Sequence, residues 1–214
     1  MTVKRKSGRK PYKSNLRNSA AEETRSRIVA AARALLGEDD SAPTFSLDAI
    51  ARRAGTTRLT IYNQFASRRG LLEAVFDDMA HEGGLLELPS VFVEPDIGEA
   101  MRRFVSVFCG FWSMRRKPMP RLLALARLDE EFAESFRQRI ERRRTALAVL
   151  VRRLPRARSP TTLIDLLFAA TSFETFEALS IRGRGRRAVE ALVQQLVADI
   201  VSRYSSHDWN RHAR

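Results

Sequence analysis

At 214 residues and 44% apolar content, the chain can bury a sizeable core in one large domain or two small ones. No apolar run approaches the roughly eighteen residues a membrane-spanning helix needs, and no apolar segment follows the charged N-terminus, so neither a span nor a secretory leader is expected. One cysteine, Cys109, excludes an internal disulfide framework and fits a reducing cytoplasm, while a net charge of +13 turns attention to polyanionic partners.

Residues 1–20 hold Lys4, Arg5, Lys6, Arg9, Lys10, Lys13 and Arg17 and no acid. With almost no apolar side chains among them, they read as a mobile basic arm. Such an arm suits phosphates, though charge alone leaves a solubilising tail or an anionic lipid surface equally open. The next segment is better patterned. Ile28, Val29, Ala32, Leu35 and Leu36 recur at helical spacing, which predicts a first helix over about 21–36. Gly37 and the acidic, proline-containing stretch Glu38–Pro43 read as a loop.

Ser46 can cap a second helix that buries Leu47, Ile50, Ala51 and Ala54 and stops at Gly55. Thr57 caps a third, about Arg58–Phe65, and Ser67 a fourth, whose Leu71, Leu72, Val75, Phe76 and Met79 form an apolar stripe. Two short helices joined by a tight turn and braced by a first helix make a helix-turn-helix, whose second member enters the major groove. In that second member Ile61 and Phe65 sit four apart and face inward. Leu59 and Asn63 then point the opposite way, with Thr60 and Tyr62 on the flanks and Arg58 in the first turn. From Ala49 to Gly70 the segment holds Arg52, Arg53, Arg58, Arg68 and Arg69 without an acid.

That mixture suits a duplex groove. Arg58 can pair with guanine, Thr60 with a base edge, and an exposed Leu59 with a thymine methyl. Ser46, Thr57, Tyr62, Asn63, Gln64 and Arg68 suit phosphate oxygens, the first two and Arg68 at helix N-termini. Taken singly, Tyr62 could instead belong to a core, and Leu59 could pack on a neighbouring helix.

The stretch "SLDAIARRAGTTRLTIYNQFASRRGLLEAVF", Ser46 to Phe76, resembles the DNA-binding signature of the TetR family of transcriptional regulators. The likeness rests on Ser46, Ile50-Ala51, Ala54-Gly55, Thr60-Ile61-Tyr62, Phe65, and Ser67-Arg68 before Leu71-Leu72. Leu59 departs from it, standing where the family usually has a small residue or proline. Arg68 replaces the usual lysine, keeping the charge but changing its geometry. The resemblance implies a homodimeric regulator, foremost a repressor, that binds a palindromic operator on double-stranded DNA. A C-terminal helical domain would often bind a small effector that releases it.

Beyond Gly83-Gly84, the stretch Leu85–Pro95 reads as a connector. Helices are then predicted over about 97–115, 118–128, 130–154, 160–181 and 186–204, with proline or glycine between most of them. The fold class is all-α, with about nine helices: arm 1–20, DNA-binding domain 21–82, helical effector-binding and dimerisation domain 83–204, and a mobile tail 205–214. Phe104, Phe108, Phe111 and Trp112 crowd the helix around Cys109. With Phe168 and Phe173 they could line a pocket for an apolar or aromatic effector, or simply fill a core. Cys109 reads as a small buried hydrophobe. Leu163, Leu167, Leu192, Leu196, Ile200 and Tyr204 give the last two helices more apolar face than a thin layer can cover. Pairing with a second chain as a four-helix bundle would bury it, although a monomer core could too. Arg142-Arg143-Arg144, Arg152-Arg153 and Arg182–Arg187 read as solvated surfaces.

The three histidines are scattered, and neither a phosphate loop nor a nucleophile motif occurs, so no metal, cofactor or catalysis is expected. Two rival readings stand beside the regulator: an architectural DNA-binding protein driven by its basic arm, with slight sequence preference, and a helical interaction protein whose basic arm binds an anionic membrane.

Overall fold

The computed structural model describes residues 12–38 and 45–206, with the backbone alone at 12–17 and Glu131. Every regular element among the described residues is helical. They form two compact units, one ending at Val75 and the other beginning at Phe76.

In the first unit α1 (Tyr12–Gly37) packs against α2 (Leu47–Ala54) and α3 (Arg58–Phe65). Its first turn lies nine residues ahead of the expected start, so Lys13 and Arg17 sit on a helix and not in an arm. Lys4, Arg5, Lys6, Arg9 and Lys10 lie outside the described residues. So does most of the expected loop after Glu38.

The caps form as their chemistry requires. Ser46 Oγ accepts from the Ala49 N–H at 3.2 Å, and Thr57 Oγ1 from the Thr60 N–H at 3.2 Å. Gly55 closes α2 at φ 61°, in the left-handed region that glycine enters without cost. Ile28, Ala32 and Leu36 from α1, Ile50 from α2, and Ile61 from α3 are all essentially inaccessible to solvent.

Between α3 and α4 (Arg68–Glu82) the chain reverses within two residues. Ala66 takes φ 61°, and the Ser67 N–H donates to the Phe65 carbonyl at 2.7 Å. A tight turn of this kind is strained for a residue carrying a Cβ. Ser67 Oγ then accepts from the Gly70 N–H at 2.9 Å and caps α4. The division between the two units falls inside α4.

The second unit is built around α6 (Ile97–Met114), which buries Met101, Phe104, Val105, Phe108, Cys109, Phe111 and Trp112. Around it run α5 (Leu88–Val93), α7 (Pro118–Leu128), α8 (Glu130–Arg152), α9 (Pro160–Ala170), α10 (Phe173–Ser180) and α11 (Arg186–Tyr204). The count is eleven α-helices among the described residues, against about nine expected. One addition is α5, which carries Pro89 in its first turn and lies within the expected connector. The other arises because the helix expected over 160–181 breaks at Thr171-Ser172.

That break is held by tertiary partners. Trp112 Nε1 donates to the Thr171 carbonyl at 3.0 Å, and Arg143 Nη1 donates to the Phe168 carbonyl at 2.7 Å and to Thr171 Oγ1 at 2.8 Å. Ser172 Oγ accepts from the Thr175 N–H at 3.1 Å and caps α10. The Phe168 and Thr171 carbonyls and the Thr171 hydroxyl, freed by the break, therefore find partners inside the fold.

Among the described glycines, Gly70 meets the closest backbone obstacle. A Cβ there would come far inside van der Waals contact with the Phe65 carbonyl oxygen, a backbone atom that has no rotamer to yield. Gly70→Ala should cost about 2–3 kcal/mol through this overpacking, lowering the urea midpoint followed by far-ultraviolet circular dichroism. A midpoint unchanged from wild type would show that the α3–α4 turn relaxes freely.

Candidate nucleic-acid interface and helical-domain cavity

An eight-residue helix such as α3 is too short to persist alone in water, so its orientation depends on what buries it. Ile61 and Phe65 supply the buried side. On the other side Leu59 is 68% exposed and Tyr62 42% exposed, an arrangement that a core role for either does not explain. Arg58 and Asn63 are also exposed, while Thr60, Gln64 and Arg68 are half-buried.

Two contacts set the working state of this edge. Arg58 Nη1 lies 3.5 Å from Asp48 Oδ2, with both side chains more than half exposed. Exposed pairs of this kind contribute at most about 1 kcal/mol, so Arg58 is steered by Asp48 yet remains free to exchange partners. Thr57 Oγ1 and Thr60 Oγ1 lie 3.0 Å apart, so the two hydroxyls share one hydrogen bond and act as a unit.

Sequence reasoning missed Arg25. From α1 its Nη1 donates to the Gln64 carbonyl at 2.8 Å, and its guanidinium sits 4.3 Å from the Phe65 ring centroid. One cation thus meets both a C-terminal carbonyl of α3 and the aromatic that anchors it. The available signal was an arginine three residues before Ile28, on the face of α1 that adjoins the core.

Residues 28–75 match the family model for bacterial regulatory proteins of the tetR family. The N-terminal unit is a TetR-family DNA-binding domain. It belongs to a helix-turn-helix transcriptional regulator, with α3 as the second helix of the motif. Among solved structures, a transcriptional regulator from Rhodococcus sp. Rha1 is 17% identical over 84% of this chain and 97% of its own, with a TM-score of 0.67. A transcriptional regulator (TerR/AcrR family) from Aquifex aeolicus VF5 is 18% identical over 80% and 96%, with a TM-score of 0.58. A TetR-like transcriptional regulator, also from Rhodococcus sp. RHA1, is 20% identical over 81% and 93%, with a TM-score of 0.56. At these identities the likeness is one of fold, and it extends through the helical unit as well as the TetR-family domain. No curated protein matches the sequence.

In the helical unit the expected aromatic cluster separates. Phe108, Phe111 and Trp112 line a partly enclosed cavity of about 220 Å³, together with Phe76, Ala80, Leu85, Leu88 and Ile140. Phe104 is core, 4.7 Å from the Phe108 ring, and Phe173 packs edge-on to Trp112 at 5.8 Å. Phe168 lies beneath the guanidinium groups of Arg143 and Arg144, each 4.1 Å from its ring. None of these last three lines the cavity. A second, more polar hollow of about 550 Å³ lies between Gly83-Gly84, Arg103, Gly110 and Arg186.

Cys109 is buried, and its thiol is pushed up to about 12, chiefly by burial and further by the Glu190 carboxylate. A thiol so disposed acts as packing and carries no thiolate near neutral pH.

The expected dimer face needs correction. Leu163 and Leu167 are completely buried within the protomer and cannot touch a second chain. They face inward because α9 packs on both α8 and α11. Leu166 takes the outward position on α9, alongside Leu192 at 40% and Leu196 at 39% exposure on α11. Ile200 and Tyr204 are half-buried. Arg143 also departs from expectation: it is only 6% exposed where a solvated face was read.

If Arg25 sets the pose of α3, Arg25→Ala should weaken binding to a duplex about tenfold, measured by fluorescence anisotropy, and lower stability by about 1.5–3 kcal/mol. Undiminished binding alongside lowered stability would restrict Arg25 to a structural role.

Proposed function

We propose that the protein is a sequence-specific transcriptional repressor that binds a palindromic operator as a homodimer. The observation that carries this reading is the exposed edge of α3, where Arg58, Leu59, Tyr62 and Asn63 project while Ile61 and Phe65 hold the helix from behind. Arg58, Leu59 and Thr60 read bases, and Thr57, bonded to Thr60 through its hydroxyl, sits at the phosphate side. Ser46, Tyr62, Asn63, Gln64 and Arg68 fix the register on phosphates, with the N-termini of α2 and α4 favouring the negative charge. The basic residues ahead of α1 add affinity along the backbone or in an adjacent minor groove.

Two-fold symmetry would set two copies of α3 in successive major grooves, about 34–36 Å apart or a multiple of that. The face formed by Leu166, Leu192 and Leu196, with Ile200 and Tyr204 at its end, supports pairing through α9 and α11 as a four-helix bundle. A small molecule in the aromatic cavity would release the operator by binding better to a dimer whose reading heads are wrongly spaced. No step in this cycle calls for catalysis, and its place is the cytoplasm. None of the described helices is long and apolar enough to cross a membrane.

Selection from a randomised duplex library at near-physiological salt tests the base-reading assignment. The intact protein should recover a palindrome, and Arg58→Ala should lose preference at one position in each half-site, a discrimination of about 1–3 kcal/mol. Equal, unselective binding by both proteins would transfer the function to the basic N-terminal residues and favour an architectural role, the reading that the net charge of +13 supports.

Dimerisation has its own test. Leu192→Asp with Leu196→Asp should shift sedimentation from dimer to monomer while helical content stays unchanged. Leu163→Ala should instead leave assembly intact and cost about 2–5 kcal/mol as a cavity. A wild-type monomer at micromolar concentration would overturn the pairing.

A further inference from the structure

The aromatic cavity of the second unit contains a cation that the fold does not neutralise. Arg143, on α8, is 6% exposed and lines the cavity beside Phe108, Phe111 and Trp112. Its Nη1 spends both hydrogens on neutral acceptors, the Phe168 carbonyl and Thr171 Oγ1. Nε and Nη2, with three of the five guanidinium hydrogens, have no acceptor among the described residues, and no carboxylate there comes within ion-pair distance.

Glu174 and Glu141 act on Arg143 only from further away, and burial, reinforced by Arg144, brings its guanidinium down to about 10. The remaining charge around the cavity points the same way. Arg139, Arg142 and Arg143 line it against a single acid, Asp77, which Arg139 already engages through both carboxylate oxygens.

A buried cation without a counter-ion is costly, and its structural bonds to the α9–α10 break would be served by Nη1 alone. A planar fork with free donors, stacked 4.1 Å over Phe168 and within 6.0 Å of Trp112, is suited to a carboxylate approaching from the cavity. The apolar walls fit the rest of such a ligand. A dry cavity of about 150 Å³ accepts benzene, so one of about 220 Å³ has room for an aromatic ring carrying a substituent, or for two fused rings.

We infer that the effector is an aromatic or similarly compact apolar carboxylic acid, its carboxylate paired with Arg143 and its ring among Phe108, Phe111 and Trp112. This inference rests on the reading of the helical unit as an effector domain.

Calorimetric titration of the full-length protein with benzoate, cinnamate and 2-naphthoate, each against its neutral alcohol, tests it. At least one acid should bind ten times or more tightly than its alcohol. Arg143→Lys should reduce that acid's affinity about tenfold and leave the alcohol's unchanged. The acid–alcohol comparison on the wild type stands even if the variant folds poorly. Equal binding of acid and alcohol, or no binding by any acid, would overturn the inference.

The same acids should then be added to the complex with the selected operator. An acid that binds through Arg143 but leaves operator affinity unchanged would support the site and overturn effector release. Release by an alcohol as readily as by its acid would keep effector release and discard the carboxylate.

Discussion

The DNA-reading edge exists because two helices of eight residues each are held by a third that is more than three times as long. Neither α2 nor α3 has the length to stay helical in water unaided. Their stability comes from burying Ile50, Ala51, Ala54, Ile61 and Phe65 against α1. Each large side chain among these contributes about 1.5–3 kcal/mol when fully buried. Everything presented to DNA is what that burial leaves outside. Arg25 and the strained turn at Ala66 then remove the remaining freedom, one fixing the end of α3 and the other its exit.

The second unit solves a different problem. Its central helix α6 is apolar on most of its circumference, so neighbours must surround it, and the helix expected over 160–181 yields to that demand by breaking. The break is stabilised by Trp112 and Arg143, residues of α6 and α8 respectively. The result is a densely packed aromatic core with an aromatic-lined cavity at its side. Packing and binding are close competitors here: Phe104 and Phe173 complete the core, while Phe108, Phe111 and Trp112 serve the core and the cavity at once. Arg143 joins the two roles, bracing the break with one nitrogen while the other two have no acceptor among the described residues.

The helix-turn-helix was legible because its signals are local. Ser46, Thr57 and Ser67 cap helices through bonds to residues three positions on, and Gly55 supplies a left-handed turn within the same short stretch. The inward spacing of Ile61 and Phe65 fixes which residues lie outward, since a helix rotates by a constant angle per residue. Other features had no local signature. Arg25 meets Gln64 across 39 positions of sequence. Leu163 and Leu167 looked like interface because α9 is apolar nearly all round, and periodicity cannot say which apolar side faces the protomer's own core. Arg143 looked solvated because it stands between two other arginines. Only the packing of α8 against α9 separates it from them.

Sequence by itself determined the all-helical class, the caps and turn of the TetR-family domain, and the outward edge of α3, because each follows from spacing within one or two turns of chain. Tertiary structure decided which aromatics line the cavity, which leucines remain exposed, and which arginine is buried. Those outcomes depend on which helices become neighbours, and burial is a property of a helix face together with whatever covers it.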